Sequence, residues 1–126
     1  IKRAINSNPN SAENYSVLGE IMDKTNLIEE AKMAYLHSLD LDPKQADTWK
    51  ELGDLYMQSG EFSEAVSSYE KAFAIDATLD KLTLLMSMAY FGAKDVDKML
   101  ELFSLAEATY SNALETFLSV FPEAKS

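Results

Sequence analysis

The feature that most constrains this chain is a duplication at a fixed step. Tyr15, Leu18, Gly19 and Met22 recur 34 residues later as Trp49, Leu52, Gly53 and Tyr56, and Ala31 and Tyr35 recur as Ala65 and Tyr69. Self-similarity at a constant period of this length means that each copy is one supersecondary unit, which buries its apolar face only by stacking on the next. Within a unit, a large side chain precedes Leu-Gly, and an aromatic or Met follows the Gly by three residues. Gln58-Ser59-Gly60 then reads as a turn, with Asn26 holding the place of Gly60 in the earlier copy. Both residues tolerate the left-handed backbone of a helix end. The unit is therefore two short helices folded back on each other. Gly53 and Ala65 lack bulk where the backbones approach, and Trp49, Leu52, Tyr56 and Tyr69 fill the seam.

The same step continues in weaker form. A third copy places Thr83, Met86, Ser87 and Tyr90 on a first helix and Met99, Phe103 and Ala106 on a second. Met99 is large where Ala is expected, and Gly92 comes two residues earlier than Gly60 does in its own copy. This predicts a differently built turn and a looser helix pair. Asn10 or Ser11 is expected to cap the first helix, Pro43 to end the second, and Asp80 to cap the fifth. Ala4 and Pro9 are five apart, as are Ser38 and Pro43, so residues 1–9 read as the tail of a preceding repeat. The missing initiator Met agrees with a fragment of a longer chain. From 110 to 121, Leu114, Phe117, Leu118 and Phe121 follow helical spacing, and Pro122 stops the run. Phe121 is bulky where a further repeat would need a small residue, so this segment reads as a capping helix.

The spacing W-x2-L-G-x2-Y followed by A-x3-F resembles the tetratricopeptide repeat. The resemblance implies an all-α fold, with antiparallel helix pairs stacked as a right-handed superhelix of about seven helices. The boundaries would be 1–9 for the tail, 12–45 and 46–79 for two full repeats, 80–109 for a degenerate third and 110–121 for the cap. It also implies a concave groove lined by the first helix of each pair. Its residues would be Glu13, Ser16, Glu20, Asp23 and Lys24, then Asp47, Lys50, Asp54, Met57 and Gln58, then Lys81, Leu84, Met88, Phe91 and Gly92. Such a groove is charged at one end and apolar at the other. Glu20–Lys24 and Lys50–Asp54 also have the spacing of helix-supporting surface pairs. One subclass of the family clamps the acidic C-terminal tails of chaperones. The places of its basic and amide residues are held here by Ser16, Glu20, Glu51, Lys81 and Leu85, so only Lys81 matches and that specialisation is rejected.

Charge sharpens the choice of partner. With 21 acids against 11 bases the net charge is −10, a surface that repels nucleic acid and anionic membrane. The longest apolar stretch, Leu82 to Ala93, is too short to cross a bilayer. No Cys is present, and Ile1-Lys2-Arg3 leads into a polar segment rather than the apolar core of a signal peptide, which says little about a longer chain. The compartment is left open with the cytoplasm favoured. No catalytic residue, metal site or cofactor is expected: His37 is the single His, and no Gly-rich phosphate loop or nucleophile elbow occurs. Asp40-Leu41-Asp42 and Asp95-Val96-Asp97 read as helix-end carboxylates, and the triplet Asn14-Tyr15-Ser16 lies inside a helix. The expected function is a non-catalytic scaffold that binds a peptide or helix carrying basic and apolar residues. The alternative is a structural segment of a longer solenoid, or a module that dimerises through the Leu84–Phe91 patch. Leu84, Met88 and Phe91 need a cover, from the 110–121 helix, a second copy or a partner.

Overall fold

The computed structural model describes residues 11–79 and 81–125, and the expectations for 1–9, Asn10 and Asp80 lie outside them. Among the described residues the chain is all-α, with seven α-helices and no strand. They are α1 (Ala12–Lys24), α2 (Ile28–Leu41), α3 (Ala46–Gln58), α4 (Phe62–Ile75), α5 (Leu82–Gly92), α6 (Val96–Thr109) and α7 (Ala113–Val120). A short 3-10 turn, Pro122–Lys125, follows. Helices pack in consecutive pairs, α1 on α2, α3 on α4 and α5 on α6, and each pair stacks on the next.

Small residues set the approach within a pair. A Cβ built on Gly19 would lie 2.7 Å from the ring of Tyr35, and one on Gly53 would lie 2.6 Å from the ring of Tyr69. Each glycine thus clears space for the aromatic of its partner helix rather than for bare backbone. Tyr35, Ala31, Tyr69 and Ala65 are all fully buried. The core is a string of junction clusters. Tyr35, Leu39, Leu52 and Leu55 join the first pair to the second, and Tyr69, Ala72, Leu82 and Met86 join the second to the third. Leu84, Met88, Ala106, Phe117 and Phe121 join the third pair to α7. This is the nearest-neighbour arrangement of a solenoid.

The third turn departs from expectation. Asn26, Gly60 and Lys94, spaced by 34, all sit in the left-handed region, at φ 66°, 74° and 69°. Each turn closes with the same backbone bond. Leu27 N–H donates to Met22 O, Glu61 N–H to Tyr56 O and Asp95 N–H to Tyr90 O, at 2.8, 2.8 and 2.9 Å. The turn of the third pair is therefore built like the others, with Lys94 in the glycine's place. Gly92 serves packing instead, because the ring of Phe62 leaves no room for a Cβ there.

Caps also differ from the sequence reading. Ser11 precedes α1 but makes no side-chain cap bond, whereas the Asp95 carboxylate accepts from Lys98 N–H at 3.2 Å. Helix α5 begins two residues later than Asp80, at Leu82, behind a left-handed Lys81 whose N–H donates to Tyr110 Oη at 2.6 Å. Met99 is half-buried and packs on the last cluster. Truncation removes that packing, so Met99→Ala should lower stability by about 2 kcal/mol in denaturant melts. A neutral or stabilising effect would place Met99 in a tight seam instead.

Lys32 ties the first two pairs together. Its ammonium meets the Glu29 carboxylate at 2.9 Å, Glu61 at 2.6 Å and the Ser59 hydroxyl at 3.2 Å. Burial alone would lower its pKa, but the two carboxylates outweigh it and raise it.

A concave groove, acidic at one end and closed at the other

The predicted groove residues fall into two environments. Around repeats 1 and 2 an open cleft of about 410 Å³ lies between α1 and α3, lined by Glu13, Ser16, Val17, Glu20 and by Gln45 to Thr48 with Glu51. Glu13, Glu20 and Asp47 are exposed, and no basic side chain lines the cleft. Glu51, absent from the predicted groove set, is half-buried there. Burial first, and then the charge of Glu20, raises its carboxyl pKa. Asp23 and Lys50 are half-exposed, and Met57 is partly covered by the second and third core clusters.

Asp54 has a different partner from the one its helix spacing predicts. Among the described residues the ion pairs within 4 Å all belong to Lys32, so neither Lys50–Asp54 nor Glu20–Lys24 forms one. The Asp54 carboxylate instead accepts from the Tyr69 hydroxyl across the pair. Burial raises the Asp54 pKa against that bond, and burial followed by the Asp54 charge raises that of Tyr69. The equivalent ring in repeat 1, Tyr35, is fully buried, and the carboxylate beside its hydroxyl is Glu51 of the next pair rather than Glu20, which holds the place of Asp54. Burial first, then the charges of Glu51, Asp23 and Glu20, raise its pKa. In the third pair both members, Met88 and Phe103, are apolar and belong to one cluster.

At the other end the groove is closed. Leu84 is 0% and Met88 3% exposed, both under α7. The Phe91 ring meets Phe117 at 5.4 Å and Phe121 at 5.0 Å between centroids, both near edge-on, a favourable aromatic geometry. Phe121 also meets Phe62 at 5.7 Å, and Val120 reaches the hollow beside Asp54, Met57 and Leu85. Helix α7 therefore lies over the inner side of the third pair and reaches toward the second. Leu84, Met88 and Phe91 are not a free docking or dimerisation patch in this structure, because the chain supplies their cover. Lys81 remains exposed at the start of α5.

Side chains flagged for chemistry take structural places. His37 is exposed and lies against Tyr15, with ring centroids 4.1 Å apart. Asp42 accepts from Lys44 N–H at 3.1 Å, and Asn14 is buried. Among the described residues no helix is long and apolar enough to cross a membrane.

Comparison with known proteins agrees with this architecture. Tetratricopeptide repeat family models match residues 12–45 and 46–79. A peroxisomal targeting signal receptor of Komagataella phaffii is 29% identical over 80 residues, which span 64% of this chain and 14% of the receptor. Among solved structures, YrrB, described as a tetratricopeptide protein with an unusual peptide-binding site, aligns with a TM-score of 0.80 at 21% identity, over 96% of this chain and 71% of its own. MamA aligns at 0.76 and 24% identity, over 90% and 62%. The first such domain of Spaghetti, solved with an HSP90 peptide, aligns at 0.76 and 18% identity, over 92% and 94%. With two adjacent matches across more than half its length and the same paired-helix stacking throughout, the chain belongs to the tetratricopeptide repeat family.

Proposed function

We propose that the chain is a non-catalytic protein-interaction scaffold that holds an extended basic segment of a partner protein in the concave face of repeats 1 and 2. The observation that carries this reading is the open cleft between α1 and α3, walled by Glu13, Glu20, Asp47 and Glu51 with no basic side chain. Unpaired carboxylates around a concavity favour a cationic ligand and repel an acidic one. Proteins of the same fold are described as peptide-binding, which supports a peptide ligand, and the acidic lining sets this groove apart from a clamp for acidic tails. The boundaries 12–45 and 46–79 delimit the proposed binding unit, with 80–109 and 110–121 as its closed end. The apolar anchors first expected of the ligand have no open site at the third pair, since α7 fills it.

A peptide-library screen tests this. Wild type should select segments rich in Lys and Arg, and Glu13→Lys/Asp47→Lys should weaken them by roughly tenfold or more. Each exposed ion pair is worth under about 1 kcal/mol, but reversal replaces attraction with repulsion. Raising salt should slow association more than it speeds release. Selection of acidic tails, or full retention by the double variant, would overturn the reading.

A further inference from the structure

Helices α6 and α7 leave a hollow between them that none of the predicted groove residues lines. Met99, Leu100, Phe103, Leu114, Phe117 and Leu118 surround about 160 Å³ of open space. Its floor is the pair Phe103 and Phe117, with ring centroids 5.3 Å apart. Its rim is Leu100 and Leu114, which are 55% and 52% exposed. A cavity of about 150 Å³ admits a benzene-sized group, so one large apolar side chain fits here. Every lining side chain is apolar and offers nothing to bond the backbone of an extended strand. A helix satisfies its own backbone and can lay apolar side chains at i, i+3, i+4 and i+7 into such a hollow.

Charge selects among helices. Asp97 stands three residues before Leu100, Glu107 four after Phe103 and Glu115 three before Leu118, so each lies one turn from a lining residue. All three are exposed, and among the described residues none is in a salt bridge. Lys98, the one basic residue in 96–120, is one, two and five residues from the α6 lining residues and so stands on another face. A second copy would set these acids against themselves, because a two-fold interface pairs a patch with itself. An anionic membrane is repelled in the same way. We propose that the hollow is a second docking surface, which takes the apolar face of an amphipathic helix of a partner protein, flanked by lysine or arginine. It is separate from the acidic cleft between α1 and α3 and does not depend on it.

A model helix, acetyl-(Leu-Lys-Lys-Leu-Leu-Lys-Leu)2-amide, provides the test. Titrated into the protein, it should give saturable amide shifts at Leu100, Phe103, Leu114 and Leu118. Leu100→Glu/Leu114→Glu changes only exposed side chains and should weaken binding about tenfold or more. Asp97→Lys/Glu107→Lys, which leaves the apolar lining intact, should weaken it about threefold or more. The same peptide with Glu in place of Lys should bind wild type at least about tenfold more weakly. Glu13→Lys/Asp47→Lys, in the other cleft, should leave the model helix unaffected. Shifts confined to Glu13, Glu20 and Asp47, or equal binding of the Glu peptide, would overturn the assignment. Light scattering that shows a dimer dissolved by Leu100→Glu would give the hollow to a second copy. Cover of Leu100 and Leu114 by another segment of a longer chain, read from solvent protection, would give it to the chain itself. Either result also refutes the partner helix.

Discussion

Phe117→Ala is expected to cost about 3–5 kcal/mol and to release α7 from the inner face. Phe117 is 4% exposed and meets Phe91, Phe103 and Phe121 at 5.4, 5.3 and 5.8 Å between ring centroids. It is the centre of the last core cluster, and no other ring is placed to replace it. Helix α7 has eight residues, too few to stay helical in water without its docking surface. Truncation should therefore lose the helix as well as the contact. Hydrogen exchange should show α7 amides unprotected while those of α3 and α4 keep their protection. With Leu84 and Met88 uncovered, the variant should also self-associate in light scattering, and adding Met88→Glu should abolish that. A loss below about 1 kcal/mol, with α7 still protected, would show that Phe117 does not hold the helix down.

Gly53→Leu comes next, at about 3 kcal/mol or more. A Cβ alone would come within 2.6 Å of Tyr69, and a leucine adds three further carbons. The ring has nowhere to go, being fully buried with its hydroxyl on Asp54. Replacing Gly in a helix ordinarily gains about 1 kcal/mol of propensity, so a net loss isolates the steric cost. A double-mutant cycle with Tyr69→Ala provides the check. In that background the leucine should fill the vacated space, and most of its penalty should disappear. Additive penalties would mean that Gly53 is needed for another reason.

The parts of this architecture legible in the sequence are those where one residue type answers one steric demand. Gly19 and Gly53 face rings 16 residues further on, so period and composition agree and two helix pairs could be read directly. The third pair was harder because its residues exchange roles. Lys94 adopts the left-handed turn that Gly60 adopts, held by the same backbone bonds, and Gly92 is freed to receive Phe62. A rule that looks for glycine at the turn misplaces it. The groove was legible as a list of positions but not as a surface. Helical spacing offered Lys50 to Asp54, while the actual partner, Tyr69, comes from the opposite helix. Spacing also could not decide which element would cover Leu84, Met88 and Phe91. Glu51 entered the sequence reading only as a mismatch to the acidic-tail clamp, because it lies beside the expected lining positions and joins the cleft wall only once α1 and α3 are side by side.

The place of α7 gives the third pair an occupant that is always present. A tethered helix meets its site at an effective concentration of order millimolar or above, without diffusing to it. Any free ligand that needs Leu84 and Met88 competes against that standing occupancy. Its apparent affinity falls by the fraction of molecules in which the site is vacant. Every 1.4 kcal/mol or so by which α7 docks lowers that fraction about tenfold and weakens such binding by the same factor. Among the described residues, no helix lies across the acidic cleft between α1 and α3 as α7 lies across the third pair. The two halves of one concave face thus differ in availability as well as in chemistry.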